Sequence, residues 1–239
     1  MDSSLSAGRF EAFGPDHLAA LGLTLLLAAW LIRRARRDPA GTVFQDRALA
    51  LFLLAIYPAH LLVGWRLGSL SKDDLFPCQL CDLAALSGAL ALRFRNQRAA
   101  ELVWFWGLAG TLNGLFTPAL DEPFPSPRFL LFFALHGGVV VTALYVVIGL
   151  RLRPMPGAVW RAFGWSQVYI VGASALNYAL GSNYGFLRSK PAQPSLLDML
   201  GPWPWYILGL EAIGLGLYFL LYWPFLLRRA PAVEGSAPP

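Results

Sequence analysis

Charge is scarce in this sequence. Only 14% of the 239 residues are Asp, Glu, Lys or Arg, about half the share of a soluble domain, while 56% are hydrophobic. A water-soluble domain of this size cannot hide so much apolar surface, whereas a bilayer accepts it. Cysteine is nearly missing: Cys78 and Cys81 are the only two, which excludes the disulfide framework of a small secreted domain. The three histidines lie in separate apolar stretches and form no ligand spacing with the cysteines, so no metal or other cofactor is expected. No basic stripe interleaved with aromatics exists, which sets nucleic acid aside despite the net charge of +5. Two-residue alternation is missing from the apolar runs, which excludes an outer-membrane barrel. The first run lacks a basic segment before it and a small-residue cleavage site after it, so it reads as a retained helix rather than a signal peptide.

What remains is a series of seven apolar runs, near His17–Ile32, Ala48–Trp65, Leu80–Leu92, Leu102–Phe116, Phe129–Leu150, Trp160–Leu180 and Trp205–Leu227. Each must satisfy its backbone hydrogen bonds internally to cross about 30 Å of hydrocarbon, so each is expected to be a helix. The third is short unless it begins near Phe76. Alternate loops carry the arginines: Arg33 to Arg47, Arg93 to Arg98, Arg151 to Arg161, then Arg228 and Arg229. The rule that basic loops stay inside puts those loops in the cytoplasm, the N-terminus outside and the C-terminus inside. The sequence thus predicts an all-α polytopic bundle of about seven transmembrane helices in the cell's inner membrane. Residues 1–229 form one domain, and 230–239 form a disordered cytoplasmic tail. Membrane lipids are its expected surroundings and a lipid its candidate substrate.

With that orientation, polar residues collect in the outer half of six helices. His60 is on the second and Cys78, Gln79, Cys81 and Asp82 are at the start of the third. Asn113 ends the fourth, His136 is on the fifth, Asn177 ends the sixth, and Glu211 is on the seventh; Asn183 and Tyr184 follow in the loop after the sixth. Polar groups inside a bilayer are costly and mark function or helix contacts. A common cavity lined by Cys81, Asn113, His136, Asn177 and Glu211 is expected. His60 alone reads as structural, His17 as interfacial, and Glu101 as close enough to the cytoplasmic end to reach water. Cysteine and histidine suffice for a nucleophile and a general base, and a thiol at a helix N-terminus is activated by the positive end of the helix. Two other readings stay open: a non-enzymatic binding protein or transporter for a lipid or small solute, and thiol–disulfide chemistry at Cys78-x-x-Cys81.

The stretch NYALGSNYGFLRSKPAQPSLLDMLGPWPWYILGLEAIGLGLYFLLYW, from Asn177 to Trp223, resembles the signature of the YwaF-like bacterial integral membrane proteins. So does FPCQLCDL from Phe76 to Leu83, against that family's proline–apolar–His–Leu–Cys–Asp segment. This chain departs from the pattern at Gln79, where the family often has His, and that leaves His136 as the main candidate base. The family is distantly similar to the eukaryotic transmembrane protein 164 group, which is associated with acyl transfer to lysophospholipids. The resemblance implies thioester chemistry on a phospholipid acyl chain, with Cys81 rather than Cys78 as nucleophile and His136 as base.

Overall fold

The computed structural model describes residues 9–118, 120–191 and 196–227; the expected tail, 230–239, and the arginines at 228 and 229 lie outside them. Among the described residues the chain is all helical and forms seven rods. They are α1 (Pro15–Arg37), α2 (Val43–Arg66), α3 (Leu80–Phe94), α4 (Gln97–Phe105), α5 (Pro127–Leu144), α6 (Ala158–Leu180) and α7 (Trp205–Leu226). α4 continues through a π-helical turn, Trp106–Thr111, into a last α-helical piece, Leu112–Phe116. α5 likewise ends in a π turn, Tyr145–Gly149.

Local sequence sets the ends. α1 starts with proline in its first turn and finishes on Arg34, Arg36 and Arg37, whose charges suit the negative end of the helix. Asn96 caps α4 by accepting from the Ala99 N–H at 2.9 Å, and Ser126 caps α5 by accepting from Phe129 at 3.1 Å. α6 stops at Gly181, which adopts a left-handed φ of 69°.

Four rods are long and apolar enough to cross a membrane: α1, α2 with its lead-in turn, α5 with its π turn, and α7. Of their most apolar windows, 61% of that in α5 is buried, against 22, 17 and 11% in α1, α2 and α7, so α5 is the centre of the bundle. α3 has only 15 residues, short of the roughly 20 a crossing takes. It is nevertheless closely packed. Ala84, Ala85, Ala89 and Ala91 are buried, and Gly88 meets Thr142, Leu53 and Val103, the small side chains letting neighbouring backbones approach as in membrane interiors. Large apolar side chains such as Leu23, Leu26, Val171 and Leu220 face outward instead.

Two ionic clusters tie the rods at the end away from the α2–α3 loop. Arg161 forks onto Glu101 at 3.0 and 2.7 Å, and the Met155 N–H donates to the same carboxylate at 3.1 Å. Glu101 is 2% exposed, so it does not reach water as expected; the half-buried Arg161 and a backbone donor replace the water. Asp46 accepts from Arg95 and from the Tyr145 hydroxyl, each at 2.6 Å. His17 is a second correction. Instead of lying at an interface it is fully buried: Nδ1 accepts the Phe13 N–H at 2.8 Å, and Nε2 lies 2.6 Å from the Leu115 carbonyl. Because Nδ1 accepts, Nε2 carries the proton, and the neutral ring pins the chain before α1 to the end of α4.

Candidate functional site

At the opposite end, the loop between α2 and α3 is folded onto α2 and onto the loop after α6. Asp74 is its hub: its carboxylate accepts from His60 at 2.8 Å and from the Ser71 N–H and hydroxyl at 2.7 Å, while the Tyr57 hydroxyl donates to its backbone carbonyl at 3.0 Å. Burial pushes this carboxyl upward, but the bonds from His60 and Ser71 outweigh it and hold Asp74 below the usual carboxylate range. From the other side, Asp73 accepts the Asn183 N–H, and the Tyr184 hydroxyl accepts from Phe76 and donates to the Lys72 carbonyl, both at 3.1 Å. Asn177, buried at the end of α6, holds Tyr184 in place, donating to its carbonyl at 3.0 Å and accepting its N–H at 2.7 Å.

This platform roofs a cavity of about 270 Å³. Gln79, Cys81 and Asp82 enter it from the start of α3, Phe132 and His136 from α5, Tyr57 and His60 from α2, with Asp73, Asp74 and Arg128 at its rim. A second recess of about 200 Å³ shares His60, Asp74, Arg128 and Leu131 with it and adds Ser69 and Gly64, so the two are neighbours across those side chains.

Cys81 is the second residue of α3 and a half-buried free thiol, beside the unsatisfied N–H groups of a helix N-terminus. His136 has a fixed orientation. Its Nδ1 lies 2.8 Å from the Phe132 carbonyl, and its ring stacks on Phe132 at 4.1 Å. A carbonyl can only accept, so Nδ1 carries the proton and Nε2 keeps its lone pair. The Nε2 edge lies over Gly114, where a Cβ would come within 2.8 Å of Nε2 and 2.5 Å of Cδ2. That glycine follows the π turn of α4, a local widening that recurs at functional sites.

The fold therefore gathers Cys81, His136, Gln79 and Asp82 in one cavity, and leaves the other sequence candidates outside it. Asn113 is exposed and donates to the Ala109 carbonyl of its own helix at 3.0 Å. Asn177, Asn183 and Tyr184 build the roof, Asn183 by accepting from the Arg188 and Ser189 N–H groups. Cys78 packs in the apolar cluster of Ala173, Tyr184 and Leu187. Glu211 is half-buried on α7, with no ion-pair or hydrogen-bond partner among the described residues. Conversely, His60 lines the cavity, as do Tyr57, Asp73, Asp74 and Arg128, which were not singled out from the sequence. The charged cluster of Asp73, Asp74 and Arg128 at loop ends was the available signal.

Compared with protein-family models, the chain matches the TMEM164 family over residues 12–222. No curated protein and no solved structure matches it.

Proposed function

The chain belongs to the TMEM164 family of membrane proteins, and from that premise we propose that it is a membrane-embedded acyltransferase acting on phospholipid acyl chains. The observation that carries this reading is that Cys81 and His136 line the same cavity, with the histidine tautomer set so that Nε2 is the basic nitrogen. In the proposed reaction Nε2 takes the thiol proton, the sulfur attacks the ester carbonyl, and the imidazolium returns the proton to the departing alkoxide, leaving an acyl thioester on Cys81. An alcohol acceptor then reverses the sequence and carries the acyl group away. Apolar lining from Ile56, Leu131, Phe132 and Leu135 suits an acyl chain, while the polar rim suits a headgroup. The YwaF-like signature in Asn177–Trp223 belongs to the same reading, because it contains Asn177 and Tyr184, the residues that hold the roof. So does the seven-span topology with its N-terminus outside, which would open the cavity to the outer leaflet. Thiol–disulfide exchange is less well supported, since Cys78 faces an apolar cluster and not the cavity.

The test is acyl transfer by the purified protein on a panel of phospholipids and lysophospholipids. Cys81→Ala and His136→Ala are each expected to abolish transfer while the protein stays monodisperse in detergent. Activity that survives Cys81→Ala overturns the nucleophile assignment. Lipid binding without transfer by the unmodified protein would favour a binding protein.

A further inference from the structure

We infer that the Gln79 carboxamide is the side-chain donor of an oxyanion hole serving Cys81, and so a further catalytic residue of the acyl transfer proposed above, on which this inference rests. The orientation of the amide is set from outside the cavity. Its Oε1 accepts the Gly185 N–H at 3.1 Å, a bond the NH2 group cannot make. Nε2, with two N–H donors, therefore occupies the other branch of the amide, and it has no partner among the described residues, although the side chain lines the cavity beside Cys81. The anchor is itself constrained: Gly185 has a φ of +65°, and a Cβ there would lie 2.5 Å from the Tyr169 hydroxyl, so only glycine places that N–H.

A second donor stands next to the first. The N–H groups of Asp82 and Leu83 both go to the Gln79 carbonyl, at 3.0 and 3.2 Å, while the Cys81 N–H in the first turn of α3 has no carbonyl partner among the described residues. Attack of Cys81 sulfur on an ester carbonyl forms the C–S bond and moves the carbonyl π pair onto oxygen. That oxyanion needs donors within reach of the attacked carbon, and a carboxamide two residues before the nucleophile together with the nucleophile's own N–H supplies them. When the tetrahedral species collapses, the pair returns, the ester C–O bond breaks, and His136 protonates the alkoxide. The other amides near this end are engaged elsewhere: Asn113 Nδ2 with Ala109 and Asn177 Nδ2 with Tyr184.

The experiment separates oxyanion support from thiol reactivity. Full-length protein in lipid nanodiscs is acylated with p-nitrophenyl octanoate and, separately, alkylated with iodoacetamide, both followed at Cys81 by peptide mass spectrometry. Acylation passes through an oxyanion; alkylation is a displacement at a saturated carbon and does not. Gln79→Met keeps length and neutrality but removes both donors. It is expected to slow acylation of Cys81 about 100- to 1,000-fold, the cost of one oxyanion donor, and to leave alkylation unchanged. Gln79→Glu, which retains an oxygen for the Gly185 N–H, is expected to slow acylation equally and serves if the methionine variant does not fold. Undiminished acylation of Cys81 in the variants, or an equal fall in acylation and alkylation in Gln79→Met, overturns this inference alone. Acyl groups found only on residues other than Cys81 in the unmodified protein overturn the nucleophile assignment and this inference with it.

Discussion

At the scale of single residues, the cavity depends on where small side chains leave room. His136 is held on one edge by the Phe132 carbonyl and on its face by the Phe132 ring, and its other edge lies against Gly114. Gly114→Ala would set a methyl 2.5 Å from Cδ2 and displace the imidazole. Displacements of about 1 Å in a reacting group cost on the order of 100-fold in rate. A fall of that order in acyl transfer is expected, with the thermal unfolding midpoint close to that of the unmodified protein, and unchanged transfer kinetics would show that the ring position is not set there. Cys81 and His136 were legible as a thiol at a helix start and a histidine flanked by apolar residues. The partners of Gln79, Asp73 and Asn177 were not, because each bond spans a large separation in sequence or points away from the cavity, and single-residue chemistry carries no sign of direction. Asn113 misled for that reason: its amide turns back on its own helix, as short polar side chains do.

At the scale of elements, the apolar runs marked seven rods in nearly the places where the structure has them, because hydrophobic continuity survives any local change of pitch. The same insensitivity hid the π turns. Leu102–Phe116 reads as one even apolar segment, yet the turn at Trp106–Thr111 shifts the face on which Gly114 is presented. Ties between rods were equally hidden when they involved charge. Glu101 looked like a residue near water, and its partner Arg161 lies 60 residues away on another rod. Removing one member of a fully buried ion pair costs about 3–5 kcal/mol; here the cost is smaller, because Arg161 is half-buried and Glu101 keeps the Met155 N–H and Arg98 at 3.4 Å. Arg161→Ala is therefore expected to lower the unfolding midpoint in detergent clearly, and Arg161→Lys, which loses the fork but keeps the charge, to lower it less. Equal midpoints for the alanine variant and the unmodified protein would show that α4 and α6 are not joined through this pair.

At the scale of the whole molecule, composition was the most informative signal. Low charge and continuous apolar runs led to a helical membrane bundle, and the TMEM164 family match and four membrane-length apolar helices agree with it. The proposed orientation rests on where arginines fall. A reporter active only in the cytoplasm is expected to work when fused after Arg229 and to fail within 181–204. Activity at both points, or only at the second, would invert or break the topology and close the cavity to the outer leaflet.

The bond between Gly185 and Gln79 also bears on how the protein is made. Cys81 and His136 both leave the ribosome well before the segment 181–187, which locks the carboxamide and, through Tyr184, the α2–α3 loop. During synthesis the free thiol of Cys81 therefore precedes the segment that ties Gln79 and the α2–α3 loop. Residues 181–187 thus come late, closing the α2–α3 loop over a cavity whose lining has already been made.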